Sequence, residues 1–225
     1  SLFVQLQSVK DHASHPQPVK SIPMKQFWVR SILLFALGAP LMAIYLTINH
    51  RTGVKHVAVE MPDWVPFWPI MAIPYLLMLI LPWLGAYALR EQRNFYQYLI
   101  SVLLAFVVIG SIWYFLPTEM CRPRTPEGAL NQVHRHLISV DKPVCIAPCG
   151  HVMGPIVIIY LLACEKRTRL SWMLPLLGLG ILSVATTWQH RPFDILIGSI
   201  ITLVSVMVTR EFFKRCLQGD VSSGS

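Results

Sequence analysis

Charge is what this chain lacks. Only 13% of its 225 residues are Asp, Glu, Lys or Arg, and only 11 are acidic. A soluble domain of this length carries about 25% charged residues, so a water-exposed globule is excluded. Hydrophobic residues make up 54% of the chain, the composition of an integral membrane protein with no room for a second large soluble domain. The first 25 residues have no apolar core, so no cleavable signal peptide is expected. The formal net charge of +8 is scattered at the ends of apolar runs, with no basic patch of the kind that binds nucleic acid. No inverted repeat of the kind found in transporters is visible.

What is present is a series of apolar runs. About 20 apolar residues cross a bilayer as a helix. Six stretches meet or approach that length: 27–47, 66–88, 95–117, 151–164, 170–188 and 194–210. The fourth is short unless it begins inside the preceding loop or runs on through Glu165-Lys166-Arg167. The fold class expected is all-α, a six-helix transmembrane bundle over 27–216. It would be flanked by a cytoplasmic tail at 1–26 and a flexible tail at 217–225. Pro40, Pro74, Pro82, Pro155 and Pro175 fall inside the runs and predict kinks.

Orientation follows from the basic residues. With both termini in the cytoplasm, twelve of the nineteen Lys and Arg residues fall on the inner side. They are Lys10, Lys20, Lys25, Arg30, Arg90, Arg93, Lys166, Arg167, Arg169, Arg210, Lys214 and Arg215. Segments 48–65, 118–150 and 189–193 would then face the periplasm, a lumen or the outside. The tryptophans, Trp64, Trp68, Trp113 and Trp188 among them, read as an interfacial belt.

Two short strings on that outer face carry chemistry: Pro148-Cys149-Gly150-His151 and His190-x-x-x-Asp194. Titratable groups beside a bilayer are expensive, and their default reading is functional. His190 and Asp194 share a helix face, so the carboxylate could fix the imidazole tautomer and leave one nitrogen nucleophilic. His151 could protonate a leaving alkoxide. Free backbone N–H groups around Cys149 and Gly150 could bind an anion. Arg122 and Arg124, in Pro117-Thr118-Glu119-Met120-Cys121-Arg122-Pro123-Arg124, could clamp a phosphate. Thr118 and Glu119 read as loop anchors.

At these residues the chain resembles the type 2 phosphatidic acid phosphatase superfamily of membrane enzymes, over roughly residues 95–210. The resemblance implies phosphoryl transfer without metal or other cofactor. His190 would be the nucleophile that becomes phosphohistidine, Asp194 its orienting partner, and His151 the general acid and then base. Cys149, Gly150, Arg122 and Arg124 would bind phosphate. Where the phosphatase branch has a Lys seven residues before the first-motif Arg, a Ser in the second motif and an Arg in the third, this chain has Phe115, Cys149 and Val184. Tyr114-Phe115-Leu116-Pro117-Thr118-Glu119 looks more like the inositol phosphorylceramide synthase and sphingomyelin synthase branch. Arg191 would replace a lost cation, and Pro192 suits a first helical turn. The implied partners are a lipid phosphate or phospholipid substrate, a lipid alcohol acceptor on the transfer route, and the membrane. No nucleic acid is implied.

The cysteines leave other readings open. Cys121, Cys145 and Cys149 fall on the outer face, where a Cys121–Cys145 disulfide would staple the motif loop. Cys145-x-x-x-Cys149 could serve a thiol oxidoreductase, although the spacing is not C-x-x-C. His134, His136, Cys145, Cys149 and His151 include plausible zinc ligands in no closed pattern.

Overall fold

The computed structural model describes residues 23–165 and 173–222, and among these the regular structure is almost wholly helical. The main helices are α1 (Met24–Asn49), α2 (Ala72–Ala88, entered through a 3-10 turn Pro69–Met71) and α3 (Gln92–Phe115). Then follow α4 (Gln132–Val140), α5 (Met153–Cys164), α6 (Met173–Thr186) and α7 (Pro192–Ser222). Among the described residues, four segments are long and apolar enough to cross a membrane: Met24–Asn49, Pro69–Ala88, Gln92–Phe115 and Pro192–Arg215. Among the described residues α5 and α6 are apolar but cover only 12 and 14 residues. Of the tail expected at 1–26, residues 1–22 lie outside the described residues, while Met24, Lys25 and Gln26 already belong to α1. The last helix runs to Ser222, into the segment expected as a flexible tail.

The bundle is built by α3 packing on α7 and α5, and by α2 packing on α6 and α5. Small residues permit the close approaches, as membrane helices require. A Cβ on Gly154 would come within 2.8 Å of Pro82, and one on Gly180 within 2.6 Å of Met78. Large apolar side chains such as Phe35, Ile80, Val107, Ile200 and Val208 point outward, where only lipid would cover them. Buried hydroxyls of Thr202 and Thr209 donate to carbonyls one turn back, at Gly198 and Ser205. Internal satisfaction of this kind is what an apolar solvent demands.

Two of the five run-embedded prolines are not kink sites. Pro74 and Pro155 are each the third residue of their helix, where the N–H has no intrahelical acceptor to lose. Pro40 and Pro82 do lie in helix interiors. Arg30, expected as an inner-face charge, is fully buried. Its guanidinium donates to Leu89 O at 2.7 Å and Ala86 O at 3.3 Å, closing the C-terminus of α2. A cation suits that end of a helix.

At one end of the bundle the loops are laced together. Strand β1 (Val57–Val59) pairs in parallel with β2 (Thr118–Met120) in register Val57↔Thr118 to Val59↔Met120. Glu119 also bridges Val144, and Met120 N donates to Pro143 O at 3.0 Å. The Asn49 amide donates to Lys142 O and Val144 O, both at 3.2 Å, and accepts from Lys142 N at 3.1 Å. Thr118 Oγ1 accepts from Ala147 N at 2.9 Å, so Thr118 anchors the loop as expected. These bonds fix segment 141–152, which carries the second motif.

Candidate active site

Helix α6 ends by turning sharply. Gln189 N and His190 N both reach back to Val184 O, and Trp188 takes a left-handed backbone with φ of 54°. A left-handed residue past the last turn is a standard helix stop, normally glycine. A bulky side chain there is strained, and such strain gathers at functional sites. The turn delivers His190 to the bundle interior just before α7 begins. Cys145, with φ of 62°, does the same for the opposite wall, placing Ile146 against His190.

His190 and His151 meet. Nδ1 of His151 lies 2.9 Å from Nε2 of His190. His190 Nδ1 is hydrogen-bonded to the Ile146 carbonyl, and a carbonyl can only accept. His190 therefore carries its proton on Nδ1 and presents a bare Nε2. His151 must then donate from Nδ1, leaving its own Nε2 to accept from the Tyr75 hydroxyl at 2.5 Å. The direction of every bond follows from one backbone oxygen: Tyr75 O–H to His151, His151 N–H to His190, His190 N–H to Ile146. Burial holds both imidazoles neutral, with His151 pushed down to about 4 and His190 well below its ordinary value. The charge of Arg122 acts in the same direction on both.

Asp194 does not orient His190. The carboxylate is fully buried and is held by Arg191, at 2.8 Å from Nε, 2.7 Å from Nη2 and 3.0 Å from the backbone N. Asp194 is the third residue of α7, so its carboxylate caps the backbone N–H of Arg191, with Pro192 at the first position. This is the reciprocal half of a capping box, with favourable charge at a helix N-terminus. Arg191 is thereby committed to the cap. The place expected for Asp194 beside His190 is taken by the Ile146 carbonyl.

Arg122 is likewise engaged. Its guanidinium donates to Gln189 Oε1 and Asp141 O, both at 2.7 Å, and to Trp188 O and Asp141 Oδ2, both at 3.2 Å. It ties the first-motif loop to the turn that carries His190. Asp141 also accepts from the Tyr45 hydroxyl. Arg124 is exposed. It lines a cavity of about 1190 Å³ with Arg122, Thr125, Glu127, Arg135 and Ile138. Neither histidine of the pair lines that cavity.

Gly150 is required by packing, because a Cβ there would come within 2.6 Å of the Trp113 ring. Trp113 is buried and donates from Nε1 to Pro148 O at 2.9 Å, so it supports the motif and is no belt residue. Trp64 and Trp68 are exposed, as a belt requires. Cys149 is buried, its N donating to Asp194 O at 3.0 Å. The His151 and Val152 amides hydrogen-bond its sulfur, so they face a thiol where an anion cradle was expected.

Cys121, Cys145, Cys149 and Cys164 are free thiols, and the Cys121–Cys145 disulfide is not formed. Burial pushes Cys145 and Cys149 up to about 12, the reverse of what a redox-active thiol needs. Of the residues weighed as zinc ligands, His134 is buried between Thr125 and Thr187 and His136 is exposed. Tyr75 was not singled out in the sequence. A lone tyrosine in the apolar run Ile73-Pro74-Tyr75-Leu76 was the available signal, since a buried hydroxyl needs a partner.

Compared with known proteins, the chain matches no family model, no curated protein and no solved structure.

Proposed function

We propose that this protein is a membrane enzyme of phosphoryl or phospho-headgroup transfer, acting on lipid phosphates or phosphodiesters through a phosphohistidine at His190. The observation that carries the reading is the neutral, directionally fixed His151–His190 pair at 2.9 Å. A bare Nε2 on one ring is the nucleophile such a reaction requires, and the neighbouring ring is the acid when it carries a proton on both nitrogens. His190 Nε2 attacks phosphorus and the bond to the leaving oxygen breaks, while His151, protonated on both nitrogens once the anionic phosphate is bound, gives its Nδ1 proton to that oxygen and returns to the neutral form. In the second step water or a lipid hydroxyl loses its proton to His151 Nδ1 as its oxygen attacks the phosphohistidine. The Ile146 carbonyl stabilises the proton kept on His190 Nδ1 throughout. Arg122 supplies positive charge near the pair without being free to clamp the substrate bidentately.

In this reading α5 and α6 complete six spans, both termini are cytoplasmic, and the histidine pair faces the outer or lumenal side. Phe115 and Val184, where the phosphatase branch has cations, suit a diester of lower charge, which favours transfer between lipids over simple hydrolysis. Monoester hydrolysis is the second reading, and it needs only that water reach the same intermediate.

The test uses purified protein in lipid, a panel of lipid phosphates and phosphodiesters, and each assay with and without a lipid alcohol. Headgroup appearing on the alcohol, and lost in His190→Ala, is the expected result. Free phosphate from a monoester, lost in the same variant, would make it a phosphatase. Turnover that survives His190→Ala would end the phosphohistidine reading.

A further inference from the structure

We propose that Cys149, His151 and His190 form a binding site for one zinc ion, which shuts the histidine pair when occupied. The three donor atoms, Cys149 Sγ, His151 Nδ1 and His190 Nε2, all lie within 4.8 Å of one another. The two nitrogens are 2.9 Å apart, and the sulfur is 3.9 Å from His151 Nδ1. Tetrahedral zinc, with bonds of about 2.0–2.1 Å to nitrogen and 2.3 Å to sulfur, sets these edges at about 3.3 Å and about 3.6 Å. These two edges are within about half an ångström of that geometry, and the third, from the sulfur to His190 Nε2, lies within 4.8 Å and closes by at most about 1.2 Å on binding.

The outer contacts fit as well. A metal-bound imidazole almost always donates its other N–H to an oxygen, which fixes the ring. His190 already donates Nδ1–H to the Ile146 carbonyl, and the far nitrogen of His151 faces the Tyr75 hydroxyl. The amides of His151 and Val152 point at the sulfur and would stabilise it as a thiolate. Two imidazoles and a thiolate suit zinc, a borderline-soft ion, and leave a fourth position for water. His151 is only half-buried, which gives the ion a way in.

The protons balance. On binding, Cys149 releases its thiol proton to solvent. The His151 proton moves from Nδ1 to Nε2, and the Tyr75 oxygen becomes its acceptor. His190 keeps its Nδ1 proton. The site gains one net positive charge, with the Asp194 carboxylate acting on Cys149 and the Asp141 carboxylate on His151 to offset it. Arg122 opposes it. Zinc there would occupy both nitrogens used in the proposed transfer, so the inhibition rests on that reading, whereas the binding does not.

The experiment titrates Co²⁺ into the full chain in detergent, after chelation and reduction, and then adds Zn²⁺. The expected result is one Co²⁺ per chain, a thiolate-to-cobalt charge-transfer band with tetrahedral visible bands, and their loss on adding one equivalent of Zn²⁺. Cys149→Ser, checked for unchanged helicity, should lose the charge-transfer band and bind Zn²⁺ at least tenfold more weakly. Cys121→Ser should keep the band. No band in the parent, or a band that survives Cys149→Ser, would overturn the site. If the parent shows the band but turns over no lipid, the site stands and the transfer reading fails. If it turns over lipid and shows no band, the reverse holds.

Discussion

The Tyr75 hydroxyl lies 2.5 Å from Nε2 of His151, on the opposite side of the ring from His190. Tyr75, in α2, is buried in the bundle core with its ring centroid 5.0 Å from that of His151. By donating to Nε2 it keeps the His151 proton on Nδ1, the nitrogen that faces His190. Tyr75 is a positioning residue for the pair. Phenylalanine preserves the packing and removes the donor. A net hydrogen bond of about 0.5–1.5 kcal/mol corresponds to a loss of up to about tenfold in kcat, with KM little changed. Steady-state kinetics of Tyr75→Phe on the best lipid substrate checks this. A variant with parental kcat would mean that Tyr75 merely fills space.

Asp194 and Arg191 form a partly buried ion pair that closes the start of α7. Removing one partner of such a pair leaves the other uncompensated, a cost of about 3 kcal/mol when buried. Asp194→Ala should therefore lower thermal stability markedly, even where activity is not assayed. A double-mutant cycle separates cap from orienting partner. Asp194 should couple to Arg191 by about 1 kcal/mol or more, and to His190 by less than about 0.5 kcal/mol. Strong coupling to His190 would restore the orienting role that the His-x-x-x-Asp spacing implied.

Gly198, one turn further along α7, sits against the second motif. A Cβ there would stand 2.1 Å from the Cys149 carbonyl oxygen. Backbone cannot give way as a flexible side chain can, so alanine must push α7 from the motif. The overpacking cost is about 3 kcal/mol. Because His190 and Cys149 lie on the two sides of this contact, Gly198→Ala should cut activity at temperatures where the variant is still folded. Helicity and turnover measured together on the same preparation decide it. Parental turnover in a fully helical variant would mean that the close approach does not position the motif.

Much of this was legible in the sequence. Each of the six apolar runs overlaps a helix, because apolar length is a property of consecutive residues. The meeting of His151 and His190 was legible too, since two motifs at the ends of neighbouring apolar runs have few other places to go. What sequence could not supply was the partner of His190. Any residue can offer a backbone carbonyl, and nothing in the side chain of Ile146 marks its oxygen as the acceptor. The spacing of His190 and Asp194 pointed instead to a carboxylate. That geometry holds only if both residues are helical, whereas α7 begins at Pro192 and leaves His190 outside it. Arg122 was misread for a related reason. Guanidinium donors are as well suited to carbonyls and Asp141 as to a phosphate, and only the loop path decides. Helix α4 was unforeseen because its nine residues are polar enough to read as loop.

His134, in α4, gives the loop region a pH response. It is fully buried, with Nε2 donating to Thr187 O at 3.2 Å and Nδ1 accepting from Thr125 Oγ1 at 2.8 Å. Burial holds it neutral, lowering its pKa below the ordinary 6.5, and the charge of Arg122 adds to the effect. In the unfolded chain the same imidazole takes up a proton near pH 6.5. Below that pH the unfolded state binds more protons than the folded one, so stability falls as pH drops. The contribution is complete above 6.5 and is lost between that value and the lowered folded pKa. His151 and His190 act with the same sign, so the parent curve alone does not isolate His134. His134→Gln retains a donor and an acceptor but cannot titrate. Melting temperatures of the parent and this variant, measured from pH 7.5 to 5, should converge as pH falls. Parallel curves would mean that His134 is protonated in the folded protein, with Thr125 turned to accept from it.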